Sequence, residues 1–315
     1  MIDTFRVGLL VTERCNIECG HCWFRSGPDR GATMTLEEAI GFIDQAGEIP
    51  TVRWISLTGG EPFLYPRLLE SSVRHASERG LQTECVTNCY WAETGHKAEE
   101  VLGVLVDAGL NVINISADDF HQRNIPFERV RNCFNAAKNL GLKVVIMCAA
   151  ARSSALRAEE IKRLLGYEGI QILGTGAPRP TSQAIVVETG FTPVGRGAEI
   201  PEKEWLTGES PVAGPCNLVL RDIGVAPSGR MLPCCSAASL VEEATLGSLR
   251  GEGLSEILER AGQRPLFKVL SSEGTSALGE RLGMNETDFV SRCHLCYDVL
   301  TSTDLKEILS KHCGH

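Results

Sequence analysis

Three cysteines stand close together near the start of the chain, in Cys15-Asn16-Ile17-Glu18-Cys19-Gly20-His21-Cys22, a C-x3-C-x2-C spacing. Three thiolates can hold a metal centre but leave one coordination position open. On a cubane iron–sulfur cluster each thiolate takes one iron, so three ligands leave one iron free for a small molecule. A zinc site completed by His21 or by a distant residue is the competing chemistry. More thiols occur late in the chain, at Cys216, Cys234, Cys293 and Cys296, with Gly229 between the first two. Four thiolates give closed coordination, either of an electron-transfer or structural cluster or of a structural zinc. Cys235 directly follows Cys234. Successive side chains of an extended segment point to opposite sides, so one of the pair can ligate while the other stays free. A free, neutral thiol can give its hydrogen atom to a carbon radical, whereas a metal-bound thiolate has none to give.

The 13 cysteines are an odd number in a chain with no secretion signal, which favours metal or redox chemistry over a disulfide framework. An oxygen-sensitive cluster requires a reducing compartment, so the expected location is the cytoplasm. Cys85, Cys89, Cys133 and Cys148 sit singly on apolar patterns and read as small buried hydrophobes. The formal net charge of −9 argues against a nucleic-acid partner held through its phosphates. No apolar run is long enough to span a membrane, and Phe5–Thr12 reads as a strand, not a signal peptide.

The elements that must position these residues alternate. Apolar, β-branched runs predict strands at Phe5–Thr12, Val52–Leu57, Leu81–Val86, Val112–Ser116, Lys143–Cys148 and Ile170–Leu173. Helical patterns fall between them, at Leu36–Ala46, Arg67–Arg79, Ala98–Ala108, Glu128–Leu140 and Ala158–Leu165. Thr35 and Glu38 form a capping box, and Gly80, Gly109 and Gly141 stand where helices end. Such alternation predicts an α/β fold with a parallel sheet, closed as a partial (β/α)6 TIM-type barrel, because six units are too few for eight strands. Chemistry on a barrel sits at the C-terminal ends of the strands. The cysteine triplet, Thr58-Gly59-Gly60-Glu61-Pro62, Thr87-Asn88 and Ser116-Ala117-Asp118-Asp119 all fall there. Glycine and proline accumulate after Leu173, which sets an expected boundary near residue 195. Residues 1–195 would then form the core domain and 196–315 a bridging segment with a small cysteine-rich domain. No separate peptide-recognition domain is expected ahead of the first strand.

The triplet and Gly59-Gly60-Glu61-Pro62 together resemble the radical SAM superfamily, with His21 a mild departure where an aromatic residue usually precedes the third cysteine. The resemblance implies a 4Fe–4S cluster on Cys15, Cys19 and Cys22, whose open iron chelates S-adenosylmethionine (SAM). Electron transfer then releases a 5′-deoxyadenosyl radical. It also implies that Gly59, Gly60 and Glu61 hold the methionine amino group, and that Ser116, Asp118 and Asn88 line the ribose pocket. A flavodoxin- or ferredoxin-type electron donor goes with this chemistry. The late cysteines resemble the shortened (twitch) auxiliary-cluster domain related to SPASM domains, implying a second 4Fe–4S cluster on Cys216, Cys234, Cys293 and Cys296. Only Cys313 remains beyond these, so a single auxiliary cluster is expected. Asp222 through Ser236, Thr87–Trp91 and Asp118–His121 resemble radical SAM epimerases that install D-residues in ribosomal peptides. That likeness makes Cys235 the hydrogen donor and Asp222 its catalytic partner. The expected substrate is a ribosomal peptide or an aminoglycoside sugar. The alternatives are a dehydrogenase or cross-linking enzyme, in which Cys235 is dispensable, and a zinc-binding interaction module.

Overall fold

The computed structural model describes residues 3–174, 180–208 and 212–312. Strands and helices alternate through β1 (Arg6–Thr12), α1 (Leu36–Gly47), β2 (Trp54–Gly59), α2 (Pro66–Glu78), β3 (Gln82–Thr87), α3 (Gly95–Ala108) and β4 (Val112–Ser116). They continue through α4 (Asp119–Gln122), α5 (Phe127–Asn139), β5 (Lys143–Ala150), α6 (Ala158–Leu165), β6 (Gln171–Leu173) and β7 (Ala184–Gly190). The capping box holds α1: Glu38 N–H donates to Thr35 Oγ1 at 3.1 Å, and Thr35 N–H to Glu38 Oε2 at 2.9 Å. The helix-ending glycines take φ of +75°, +107° and +76° at Gly80, Gly109 and Gly141, the left-handed turn that sends each chain back to the sheet.

The sheet is ordered β10-β9-β8-β1-β2-β3-β4-β5-β7-β6, parallel from β8 to β6, with β8 (Asp222–Val225), β9 (Arg230–Leu232) and β10 (Gly247–Ser248) from the C-terminal part. This is the expected partial barrel. Side chains alternate along a strand, so Val7, Leu9 and Val11 of β1 pack on the helices, each at most 1% exposed. Arg6, Gly8, Leu10 and Thr12 then face the lumen. Arg6 spans it, pairing with Glu84 of β3 at 2.7 Å and Asp222 of β8 at 3.0 Å.

Two features differ from the expected pattern. The strand expected at Ile170–Leu173 exists as β6 but lies at the sheet edge. The place beside β5 belongs to β7, in register from Val144↔Ala184 to Ala150↔Gly190. Ala184–Gly190 ends in Glu188, Thr189 and Gly190, and this polar end between turn-rich flanks hid the strand. The second feature is that β8 pairs parallel with β1, Arg6↔Asp222 through Leu9↔Val225. The C-terminal part thus extends the barrel's own sheet, and one hydrophobic core runs through both. Its helices are α7 (Leu254–Gln263), α8 (Pro265–Ser272), α9 (Thr275–Arg281), α10 (Arg292–Thr301) and α11 (Leu305–His312). Cys313, His315 and the His312 side chain lie outside the described residues. No helix among the described residues is long and apolar enough to cross a membrane.

Candidate active site

The loop after β1 carries the first thiols. Cys15 N–H donates to Gly27 O and Cys22 N–H to Cys19 O, both at 3.1 Å. Arg196, from beyond β7, clamps the loop: its Nε donates to Cys19 O at 2.9 Å and its Nη2 to Ser26 O at 2.7 Å. The clamp needs Gly195, where a β-carbon would sit 2.1 Å from Trp23 O. Arg196 was missed by sequence reasoning because Gly195-Arg196-Gly197 reads as a turn. No ion pair holds its guanidinium among the described residues, and Arg196 belongs to the cavity lining.

That cavity, about 350 Å³, opens at the C-terminal ends of the strands. It brings together Cys15, Cys19 and Cys22 with Gly59, Gly60, Glu61, Asn88, Ser116 and Asp118, all the residues singled out for the barrel mouth. The glycine pair also answers to the packing of the chain itself. A β-carbon on Gly59 would lie 2.3 Å from Thr12 O, and one on Gly60 2.1 Å from Arg14 O. The close approach is thus to the chain's own backbone, where Gly60 N–H donates to Thr12 O at 2.7 Å.

Glu61 is 1% exposed, and its carboxylate accepts from Phe63 N–H (3.1 Å), the Thr87 hydroxyl (3.1 Å) and Asn88 N–H (2.8 Å). Burial pushes its pKa up to about 7 against the pull of these donors. Asn88 Nδ2 bonds Asn16 Oδ1 at 2.9 Å and lies 3.8 Å from the Cys15 sulfur. Asp118 is also engaged: Oδ1 accepts from His121 N–H (3.0 Å) and pairs with His121 Nδ1 (2.8 Å), and Oδ2 accepts from Ala149 N–H (3.3 Å). It lines the cavity with these acceptor positions already engaged, and its expected contact with a ribose would have to be made beside them. Burial works against the His121 proton, but Asp118 and then Cys19 outweigh it and raise its pKa well above the ordinary value. Burial lowers that of His21 to about 4.

The late thiols converge too. Cys216, Cys234, Cys293 and Cys296 line one cavity of about 490 Å³, with the last two a turn apart on α10. The buried Thr275 hydroxyl belongs to the lining of the same cavity and has no hydrogen-bond partner. Cys234 is 6% exposed and faces Cys296 and Cys293. Cys235 points the other way. Its sulfur lies over Gly8, where a β-carbon would come within 2.6 Å, and its S–H donates to Ile223 O at 3.3 Å. The residue keeps solvent-accessible surface although its sulfur is packed near Arg6, Asp222 and Glu84. Burial pushes its pKa up to about 12; Arg6 pulls down, while Asp222 and Glu84 push up.

Asp222 does not bond the thiol. Its carboxylate is taken by Arg6 at 3.0 Å, and its backbone carbonyl accepts from Cys235 N–H at 2.9 Å. Its expected contact with the thiol is therefore indirect. Arg6 and Glu84, the latter also holding Asn114 Nδ2 at 3.0 Å, were not singled out from sequence. Their only signal was a charged residue within an apolar strand.

The thiol sets fit clusters better than single ions. A tetrahedral zinc with bonds of about 2.3 Å places its sulfurs about 3.8 Å apart. Among the described residues, no three of these thiols bring their sulfurs within 4.8 Å of one another; the one such trio of ligand atoms is His21, Asp118 and His121. A cluster spreads its thiolates over separate irons, and the orphaned Thr275 hydroxyl suits a sulfur acceptor.

Residues 9–151 match the model of the Radical SAM superfamily, and this part of the chain is a radical SAM domain. That superfamily is one of enzymes that consume SAM on a 4Fe–4S cluster, and the matched residues include Cys15, Cys19 and Cys22. It is 22% identical over 306 residues to YydG of Bacillus subtilis (strain 168), a protein named for peptide biosynthesis, covering 95% of this chain and 92% of that one. The fold is similar to that of BtrN in complex with AdoMet and 2-DOIA, at TM-score 0.54, 14% identity and 92% coverage of each chain. It is also similar to Streptococcus suis SuiB bound to S-adenosylmethionine, at TM-score 0.59 and 13% identity, covering 92% of this chain and 77% of that one. Both likenesses concern the fold alone.

Proposed function

We propose that the protein is a radical SAM epimerase that inverts a C–H stereocentre in a peptide residue. The observation that carries this reading is the split between adjacent cysteines. Cys234 lies among three other thiols, while Cys235 holds a protonated thiol in the barrel lumen. Cys15, Cys19 and Cys22 would hold one four-iron cluster, and Cys216, Cys234, Cys293 and Cys296 a second. Within the mouth cavity, Glu61 suits the SAM ammonium, Arg196 its carboxylate, and Ser116 a ribose hydroxyl. When bound, the cluster and SAM supply a 5′-deoxyadenosyl radical that removes hydrogen from the substrate.

The chain's own residues then account for inversion. Gly8 lies four residues below Thr12 on β1, about 13 Å at the rise of an extended strand. A substrate residue between the mouth and Gly8 is thus reached from above by the radical and from below by Cys235. The Cys235 S–H bond breaks as a C–H bond forms on the opposite face, leaving a thiyl that needs one electron and one proton to recover. Arg6 and Asp222 fix the strand that carries the donor. A flavodoxin- or ferredoxin-type carrier suits the electron supply, and such centres call for a reducing compartment such as the cytoplasm. A peptide is favoured over an aminoglycoside because the relative matched along nearly the whole chain is named for peptide biosynthesis.

The test is reaction in deuterated water with a candidate peptide substrate. Wild type should place one deuterium on the inverted carbon, since an S–H proton exchanges with solvent. Cys235→Ala should keep both clusters and SAM cleavage but give no inverted product. Inverted, deuterated product from that variant would put the donor elsewhere. A wild-type product lacking two hydrogens would make the enzyme a dehydrogenase or a cross-linking enzyme.

A further inference from the structure

The mouth cavity has a neighbour that none of the steps above uses. About 340 Å³ of space lies between the end of β1 and the turn joining β8 to β9, and its lining shares Trp23, Phe24, Ser26 and Gly59 with the mouth cavity. One wall is apolar: Leu10 of β1 and Leu232 of β9, 5% and 1% exposed, pack with Ala226 and Phe24. The charged lining has a strong bias, with Arg25, Arg30 and Arg230 against Glu13 alone, in a chain of net charge −9. Arg30 pairs with Glu13 at 2.5 Å and Arg25 with Glu199 at 2.7 Å. Arg230 is half-buried and forms no ion pair among the described residues; its Nη1 donates to the Thr245 hydroxyl at 3.2 Å.

The turn that carries Arg230 is held from behind. Gly229 takes φ +81°, and a β-carbon there would lie 2.8 Å from the Arg250 side chain. This close approach lets Arg250 Nη2 donate to Pro227 O at 3.1 Å while it pairs with Glu38 of α1 at 2.6 Å. A cation fixed before its ligand arrives loses little freedom on binding. A second unmet group stands where the two cavities join. Ser26 is 3% exposed, and its hydroxyl has no hydrogen-bond partner. A buried hydroxyl left so marks a place where a polar atom of a ligand belongs.

From this geometry we infer that the second cavity is a substrate subsite in which Arg230 binds a carboxylate of the peptide. The guanidinium offers paired N–H donors that match the two carboxylate oxygens. The leucine and aromatic walls suit the apolar stem beside the acid, and the shared lining lets the chain run on into the mouth cavity. The inference rests on a peptide being the substrate and deepens that reading by naming a group it must carry. An Asp or Glu side chain and a C-terminal carboxylate present the same two oxygens, and the experiment separates them.

The experiment uses a candidate peptide substrate, the same peptide with each Asp and Glu changed in turn to Asn or Gln, and its C-terminally amidated form. Conversion of each by wild type and by Arg230→Gln gives KM and kcat. One of these changes should raise the wild-type KM about tenfold or more with kcat nearly unaltered, as expected for loss of a hydrogen-bonded charge. Arg230→Gln should raise the KM of the unaltered peptide to the same extent and no longer respond to that change. A response to amidation would make the bound group the C-terminus, and a response to one acidic residue would make it that side chain; either supports the subsite. Arg230→Lys, which keeps the charge, should recover part of the loss. A wild-type KM in Arg230→Gln would overturn the inference. So would losses that multiply when enzyme and peptide are both altered, since the two groups would then not meet. A raised KM for SAM in place of the peptide would assign the cavity to SAM, and loss of iron from both variants would make Arg230 a support of the fold; each equally overturns it. Conversion is read whether the product is inverted or has lost hydrogens, so failure of the epimerase reading leaves this test standing. Turnover of an aminoglycoside in place of any peptide would sink the peptide reading, and this inference with it.

Discussion

Gly8 leaves the space that Cys235 occupies. Any larger residue there would place a β-carbon 2.6 Å from the Cys235 sulfur, well inside contact distance. Gly8→Ala should therefore swing the thiol away from its position while leaving the distant thiol loop intact. We expect SAM cleavage close to wild type and inverted product lower by roughly tenfold or more, since small misplacements of a reacting group cost about that much. Deoxyadenosine and inverted peptide, quantified from one reaction, separate the two effects; equal loss of both would count against the assignment of Cys235. At the mouth, Glu61 gives a pH dependence. Its pKa is raised to about 7 by burial, so the folded protein holds this proton more tightly than the unfolded chain. Without SAM, the stability this contributes is present at acid pH and is lost as pH rises through about 7. Only the ionised form can pair with an ammonium. SAM should thus bind several-fold more tightly at pH 8 than at pH 6 by calorimetry, and Glu61→Gln should flatten that difference.

The thiol loop has little secondary structure of its own and is held by neighbouring elements. Its backbone is joined to the loop after β2 through Gly60 N–H and Glu61 N–H, and to the segment after β7 through Arg196. Arg196→Ala would leave the Cys19 carbonyl with Cys22 N–H alone and strand that of Ser26, the latter a loss of about 1–3 kcal/mol if no water replaces the donor. The expected result is selective loss of iron from the first cluster, seen as loss of the SAM-perturbed resonance while the second cluster persists. Full retention of that signal would show that Arg196 is not needed to shape the loop. The same clamp explains why β7 matters. It closes the barrel against β5 and delivers Arg196 to the mouth, two tasks that the edge strand β6 cannot perform.

Across the whole molecule, the C-terminal part serves the barrel from two sides of one short segment. The strand pairing of β8 with β1 brings Cys235 into the lumen, while Cys234 stays with the thiols of α10 and Cys216. If both thiol sets hold four-iron clusters, reconstituted protein should carry about eight irons. Replacing Cys216, Cys293 or Cys296 with Ala should lower this toward four and spare SAM cleavage of the first cluster. Replacing Cys15, Cys19 and Cys22 together should also leave about four irons but abolish deoxyadenosine formation. Stable zinc in the C-terminal site, with iron unchanged by its removal, would refute a second cluster.

The linear chain carried much of this. Cysteine spacing, the Gly59–Glu61 turn and strand–helix alternation are local patterns, set by ligand chemistry and by the periods of helix and strand. They were enough to predict the partial barrel and the residues that gather at its mouth. Which groups are already occupied depends on contacts between residues far apart in sequence. Tertiary structure alone decided that Asp118 is taken by His121 and that Asp222 is taken by Arg6. It also brought Arg196 onto Cys19, 177 positions earlier in the chain. The direction of Cys235 had the same origin. Alternation along a strand says that two neighbours point apart, but only the pairing of β8 with β1 decides which of them meets the lumen.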